Sequence, residues 1–561
     1  MYLDCVVNIP NVKGKITYRN KGEVDYVYYE YAREYNRTTQ HTNPKRVTIG
    51  KRIKDNPCTM QPNTNFLKYF PDAELPEELN RFDRSSCLRV GDYVVIRKIM
   101  EEYRLPEMLS GYMSESDTGL FLDLAAYTIV TENNAGQYYP DYAYNHPLFT
   151  QDMRIYSDSK VSDFLNSLDE DVSVKFLNEW NGSRDHREKI YISYDSTNKN
   201  SQAGDVEIVE VGHPKVDMGL PVFNYSIAYD TDNSEPLYYE KYPGSINDVS
   251  QFEFMLDKAY GYGYRHIGFI LDRGYFSKKN IEDMDAKGYS FIIMMKGMAS
   301  LVNETVLENA GTFEKKRKNY IDEYETYGMT VKKKLYATDE KERWIHIYHS
   351  VYKESAERSH LEKKIRQMKQ FMKKHEGEVK QFGSGFEHYF ILHYNEKTGQ
   401  FQFAEEKISV IEEELSLCGY YCIVTSEQMT AKQALNLYKG RDASEKLFRG
   451  DKSYLGNKSL RNYTDKATNN KIFIEFIALI IRNKIYRCLK EKLEGMDKKP
   501  NYLTVPAALK ELEKIEMVRL TDNRYRLDHA VTATQKIILD AFGLDEQNIR
   551  YRADEIRRKL A

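Results

Sequence analysis

A tyrosine, an arginine, a glutamate and a lysine stand at Tyr438, Arg441, Glu445 and Lys452, inside LNLYKGRDASEKLFRGDKSYLGNKSLR, a stretch whose apolar spacing reads as helix. At ~100° per residue the four fall within a stripe roughly 60° wide, so one helix face carries an aromatic hydroxyl, a carboxylate and two cations. Such a face can meet a phosphate and a metal ion. Two more carboxylates stand where β-type runs end: Asp195 closes KIYISYD and Asp272 closes HIGFILD. Neighbouring strands of one sheet would deliver both at the same edge, and the helix would bring Glu445 to them. Three acidic ligands suit Mg2+ or Mn2+, hard ions that prefer oxygen. Two such ions about 3.5–4 Å apart can ionise an attacking water or 3′-hydroxyl and stabilise the departing oxygen of an in-line phosphoryl transfer. The chemistry that fits is DNA strand cleavage and joining.

Asp205, Asp217, Asp230 and Asp248 compete for the first acidic position. Asp230 also ends a β-type run, but it opens the turn TDNSEP, where an aspartate has a sufficient local reason. A strand-terminal aspartate taken alone is as well explained as a turn former or helix cap. The order of elements around Asp195, Asp272 and Glu445 lifts them above that reading. KIYISYD, LPVFNYSIAYD and EPLYYEKYPG are three successive strands; a helix over DVSQFEFMLDKAYGYG, the strand RHIGFILD, a helix over KKNIEDMDAKG and the strand YSFIIMMKG follow. That is the order of a ribonuclease H-like α/β core.

Asp272 and Glu445 are 173 positions apart, whereas a helix, a strand and a final helix need roughly 40 to 50 residues. An inserted β-rich or mixed subdomain must account for the excess. Its sequence is charge-dense, with a long helix over ERSHLEKKIRQMKQFMKKHEGE and a strand pair around the turn in FILHYNEKTGQFQF. The expected organisation is a basic β-rich module over 1–75, a helical DNA-end-binding region over 76–185, the first part of the core over 186–300, the insertion over 301–418, the second part of the core over 419–490, and a mainly helical region over 491–561, suited to dimerisation. The helices of 76–185 have an equally good reading as packing elements, since no helix-turn-helix punctuation stands out.

The formal net charge is only −3, so no global positive field draws nucleic acid and any affinity must come from local patches. Two exist. Residues 1–58 hold 11 Lys and Arg against 6 Asp and Glu, and residues 446–490 hold 11 against 3. The second includes Lys458 and Arg461, which join Lys452 as candidate phosphate contacts. In the insertion, Lys332, Lys333 and Lys334 are further candidates, with a solvated face as the alternative. Six cysteines form no paired ladder, and Cys418 and Cys422 in CGYYC lack a second pair at zinc spacing, so reduced thiols packed in a core are expected. Oxygen-liganded metals need no imidazole, so His213, His346 and His349 are not expected to be ligands. IFIEFIALII at 472–481 is the longest apolar run; it is too short to span a bilayer and contains Glu475, so it is expected to be a buried helix. The start, MYLDCVVNIP, has no signal-peptide pattern, and a cytoplasmic, DNA-associated protein is expected.

Beyond these spacings, YDST at 194, GHPKVDMGLPVF, PLYYEKYPGSINDVSQF, GFILDRGYF, the signature helix and KIFIEFIALIIRNKI resemble the DDE-type transposases of bacterial insertion sequences, above all the fourth-numbered insertion-sequence family with its Tyr-Arg-Glu-Lys signature. The resemblance covers about residues 185–300 and 420–490. It implies that Asp195, Asp272 and Glu445 form a metal-binding acidic triad holding two Mg2+ or Mn2+ ions, and that Tyr438, Arg441 and Lys452 steady DNA phosphates at the transposon end. It further implies a homodimer synapsing terminal inverted repeats, with cut-and-paste transfer of 3′-hydroxyl ends into target DNA and no membrane partner. Relatives often carry Trp just after the signature arginine, where this chain has Asp442. Relatives that excise through a DNA hairpin stack a flipped base on a tryptophan of the insertion; Trp344 is the one available here, with a core strand position as its alternative. A metal-dependent nuclease, or a domesticated DNA-binding protein on the same fold, are the competing readings.

Overall fold

The computed structural model describes residues 6–22, 24–36, 40–53, 56–71, 73, 84–185, 188–201, 206–210, 221–246, 248–295, 299–442, 445–447, 450–451, 455, 459–460, 462–519 and 524–560. It is a mixed α/β chain that divides into two compact units, Met1–Ser85 and Ser86–Ala561. In the first, β1 (Val7–Asn8), β2 (Ile16–Lys21), β3 (Val24–Asn36), β4 (His41–Arg52) and β5 (Thr59–Pro62) form an antiparallel sheet in the order β1-β5-β4-β3-β2. Val27, Ile49, Met60 and Phe66 make its small core.

The second unit begins with β6 (Cys87–Arg89) and a set of helices from Gly91 to Gly182. Then come β7 (Ile190–Ser201), β8 (Val222–Asp230), β9 (Glu235–Pro243), the helix Asp248–Gly261, β10 (Ile267–Leu271), the helix Lys278–Ala286 and β11 (Ser290–Met294). β8 is antiparallel to β7 and β9, while β10 runs parallel to β7 and β11 parallel to β10. The lateral order is therefore β9-β8-β7-β10-β11.

Residues 301–418 are not a self-contained β unit. After the helix Ala299–Asn309, β12 (Tyr320–Ile321), β13 (Thr326–Lys333) and β14 (Arg343–His349) join the main sheet through β17 (Tyr420–Thr425), extending its order to β11-β17-β14-β13-β12. The reason is alternation: Ile345 and Ile347 face the large core, while Tyr348 faces the second core on the other side, so β14 has two faces to bury and must lie inside a sheet. Only the later part of the insertion has its own core. There the helix Val351–Lys373, the hairpin of β15 (Phe390–Tyr394) and β16 (Phe401–Glu406), and the helix Ile408–Leu417 enclose Leu361, Ile365, Met372, Phe390, Phe401 and Ile411.

A 30-residue helix, Asp465–Glu494, carries the apolar run 472–481 and is buried all round over that stretch. Phe473 meets Phe121 of the helix Glu115–Thr131, ring centroids 4.9 Å apart, and Phe476 meets Tyr239 of β9 at 4.9 Å. No helix among the described residues is long and apolar enough to cross a membrane. β18 (Ser459–Leu460) precedes this helix and pairs with β7. Beyond it lie the helix Val505–Leu512, the hairpin of β19 (Glu516–Arg519) and β20 (Tyr525–Leu527), and the helices Ala533–Asp540 and Glu546–Lys559. β19 also pairs with β6, tying the two ends of this unit together, a pairing the sequence pattern does not signal.

Candidate active site

Alternation decides where the acids point. Phe269 and Leu271 of β10 enter the large core, and Ile270 between them enters the second core, with Ile292, Ile423 and Tyr348, beneath Ala431, Leu435 and Tyr438. Asp272 lies two residues past Ile270 and so belongs to the face covered by the helix Ala431–Lys439. Ser193 of β7 stands opposite Ile270, which puts Asp195, two residues on, on the same face. β7 does not end at Asp195 as its apolar pattern suggests; it runs on to Ser201, paired with β8 from Ile192 to Asn200. β10, however, stops at Leu271, opposite Tyr194, so from Asp195 onward β7 loses that neighbour until β18 pairs at Asn200 and Ser201. The notch between these pairings is where the acids gather.

The covering helix starts with a capping box of Thr430 and Gln433 and closes at Gly440. Asp442, residues 445–447 and residues 450–451 are helical again, and Glu445 N donates to Arg441 O at 3.3 Å. Tyr438, Arg441 and Glu445 thus share one face despite the interruption at Gly440. Arg441 stands among the carboxylates: its Nη1 lies 3.9 Å from Asp195 Oδ2 and 3.8 Å from Asp272 Oδ1, and its Nη2 donates to Glu445 Oε1 at 2.5 Å. Burial pulls its pKa down, and Tyr438, Asp272, Glu445 and Asp195 more than offset that, so the net shift is upward and the guanidinium stays charged. Asp272 also caps the short 3-10 helix Arg273–Tyr275, its Oδ1 accepting from Arg273 N at 2.7 Å, so its local role as a cap and its place beside Arg441 coexist. Asp195 Oδ1 accepts from Ser196 N at 2.8 Å. Burial pushes the Tyr438 hydroxyl up to about 12, which keeps it a phenol able to donate to an anion.

Asp230 closes the turn after β8, its carboxylate accepting from the backbone of Asp232 and Asn233 and from the Asn233 amide, the local role its position suggests. Asp205 and Asp217, and the Asp248 side chain, lie outside the described residues, as do Lys452, Lys458 and Arg461. Trp344 sits half-buried on β14, on the face that carries the acids, with Lys332 Nζ 5.4 Å from its ring. Three strand spacings separate β14 from β10, roughly 14 Å. Lys332 pairs with Glu342 and Lys333 with Glu308, while Lys334 is exposed. Arg482 is buried, Lys484 reaches Glu102 at 3.5 Å and Arg487 bonds to Asn233 O, so these cations of the long helix are engaged within the chain. His346 hydrogen-bonds the hydroxyls of Thr330 and Thr425, and burial lowers its pKa to about 4.

Sequence reasoning passed over a buried ionic cluster that fastens this region. Lys199 of β7, fully buried, lies 2.8 Å from Asp451 Oδ2 and 3.0 Å from Glu475 Oε2, with its ammonium 4.5 Å from the Tyr225 ring. It joins the segment that carries Glu445 to the sheet and to the long helix. The signal was available: a lone glutamate inside IFIEFIALII demands a buried cation.

Residues 207–481 match the family model of a transposase DDE domain. The matched stretch contains Asp272 and Glu445 and begins after Asp195. No curated protein matches the chain. Among solved structures, a cryo-EM piggyBac transposase synaptic complex with hairpin DNA aligns over 84% of this chain and 83% of that chain, at 8% identity and a TM-score of 0.34. The family match supports a DDE-type transposase.

Proposed function

We propose that the chain cuts DNA at transposon ends and transfers the 3′-hydroxyl ends into target DNA by a cut-and-paste route, with Asp195, Asp272 and Glu445 as its catalytic carboxylates on a ribonuclease H-like core. The observation that carries this reading is that three acids drawn from two strands and a helix all lie within 4 Å of one guanidinium. The strand order β9-β8-β7-β10-β11, with three antiparallel strands followed by two parallel ones, supports the core assignment.

The donor types suit a hard divalent cation, three carboxylates around Arg441. Their oxygens do not all lie within 4.8 Å of one another, as the ligand atoms of Asp92, His146 and Glu513 do, so the triad must draw together to share the ions. Asp195, Asp272 and Glu445 would hold two Mg2+ or Mn2+ ions, which supply Lewis acidity and activation of the attacking oxygen. The rest falls to the chain. Arg441 and the Tyr438 hydroxyl flank the triad and bind phosphate oxygens, fixing the scissile linkage against the acids. The basic stretch around Lys452, Lys458 and Arg461 continues the backbone contact. A second copy of the chain presents the other transposon end. In a hairpin route, Trp344 backed by Lys332 would be the stacking platform for a flipped base.

The test uses the full chain, Mg2+ and a duplex bearing the element's terminal repeat, reading both nicking and joining to a second duplex. Asp195→Asn, Asp272→Asn and Glu445→Gln should each cost several kcal/mol of transition-state stabilisation, roughly a thousandfold or more in cleavage, with end binding retained. Retained cleavage in any one variant removes that residue from the site, and cleavage without joining in the unaltered chain makes it a nuclease.

A further inference from the structure

A second group of potential ligands lies away from the notch, at the junction of the first helices and the C-terminal region. Among the described residues, Asp92, His146 and Glu513 each offer one ligand atom, all within 4.8 Å of one another. Three elements bring them together. Asp92 is in the first turn of the helix Gly91–Glu102, His146 follows the helix Tyr139–Asn145, and Glu513 follows the helix Val505–Leu512. Gly91 makes the approach possible, because a Cβ there would stand 2.4 Å from Leu512 O. Val90 N bonds to Ile515 O at 2.8 Å and keeps the two segments together.

The polar geometry is that of a cation site. His146 Nδ1 lies 2.8 Å from Tyr142 O, and since a carbonyl only accepts, Nδ1 carries a proton and Nε2 is the ring atom directed at the two carboxylates. A backbone carbonyl held in this way is the outer partner that metal-binding histidines use. Nε2 is 3.6 Å from Asp92 Oδ2 and 3.6 Å from Glu513 Oε1. Two ligands about 2.1 Å from a tetrahedral zinc ion stand roughly 3.4 Å apart, close to those separations. Asp92 is fully buried; its Oδ1 accepts from Tyr93 N, and its Oδ2, on the side of His146, accepts no hydrogen bond. Burial disfavours the charged form of this carboxyl, and a cation held beside Oδ2 would offset that cost. Arg89 Nη1 donates to the same Glu513 Oε1 at 2.8 Å, fixing that carboxylate and leaving the oxygen's second lone pair for a cation.

We propose that Asp92, His146 and Glu513 hold a structural Zn2+ that pins the N-terminal helices of the second unit to its C-terminal region. The mixed imidazole and carboxylate set selects Zn2+ over Mg2+. The proposal stands independently of the reading of the notch. It is tested on the full chain carrying Asp195→Asn, Asp272→Asn and Glu445→Gln, stripped with a chelator and titrated with ZnCl2 or MgCl2 by calorimetry, with thermal unfolding in parallel. One Zn2+ per chain should bind and raise the unfolding midpoint, millimolar Mg2+ should not replace it, and adding Asp92→Asn should weaken Zn2+ binding about 10–100-fold. Should Asp92→Asn fail to fold, Co2+ bound to the parent chain must give ligand-field absorption that equimolar Zn2+ abolishes. Absence of stoichiometric Zn2+ binding, equal binding of Mg2+, unchanged affinity in Asp92→Asn, or a Co2+ complex without that absorption would each overturn the site.

Discussion

Replacing Arg441 by glutamine should tighten divalent-metal binding at the notch while weakening DNA cleavage. The guanidinium lies within 4 Å of all three carboxylates, so a cation entering among them meets a fixed positive charge at about the same range. One unit charge against a dication at ~4 Å is worth about 2 kcal/mol even with water-like screening, roughly thirtyfold in affinity. The Arg441 side chain is only 16% exposed, so the water-like figure is a lower bound. Arg441→Lys provides the control: it keeps the charge but loses the planar fork, so metal affinity should stay near that of the parent while cleavage falls through poorer phosphate positioning. Mn2+ binding followed by electron paramagnetic resonance, alongside end cleavage on a terminal-repeat duplex, reads both arms. Unchanged or weaker Mn2+ binding in Arg441→Gln would refute the idea that the guanidinium and the metal compete for one place.

Lys199→Met should destabilise the second unit by about 3–5 kcal/mol, because Asp451 and Glu475 lose the buried cation they share; the denaturant midpoint measures this, and adding Glu475→Gln should recover part of the loss. His346, buried, with its pKa lowered from 6.5 to about 4, binds fewer protons folded than unfolded. Its contribution to stability is intact above pH 6.5 and is lost as pH falls towards 4, on the order of 3 kcal/mol in total. His346→Gln should flatten the stability profile across that window, and an unaltered slope would mean that other groups govern it.

The parts of the fold that could be read from the sequence are those encoded in local period. The runs ending at Asp230 and Asp272 stop where their strands stop, because alternation and turn chemistry act within a few residues. The local geometry of the candidate site was legible for the same reason: Tyr438, Arg441 and Glu445 share a face by helical spacing, and Asp272 shares the face of Ile270 by strand parity. Lateral neighbours are a different matter. The polar tail STNKN of β7 looks like a loop, yet it remains strand because β8 and then β18 pair with it, and its lysine finds carboxylates 252 and 276 positions away. The β6–β19 pairing and the Asp92, His146 and Glu513 group likewise join segments hundreds of residues apart, for which a single sequence holds no periodic signal. Asp92 beside Val90 and Tyr93 looks like an ordinary first-turn acid until Leu512 closes over Gly91.

The insertion between β11 and β17 shows why so long an excursion is compatible with one site. The chain leaves β11 and returns in β17 as its antiparallel neighbour, with Met295 N bonded to Cys422 O at 3.0 Å, so the two ends of the excursion are closed by the sheet itself. Closure entropy grows only slowly with length, and a loop fixed in this way can be long at little thermodynamic cost. What lies inside then serves the notch. Tyr348 of β14 donates its hydroxyl to Ala431 O at 2.8 Å, Ile321 of β12 packs in the core beneath the same helix, and Gly328 of β13 comes so near that a Cβ there would be 3.0 Å from the Ala431 Cβ. The helix leading to Arg441 and Glu445 therefore rests partly on inserted strands. Their added width extends the floor beneath that helix, so the insertion takes part in bringing the third carboxylate to the two supplied by the sheet.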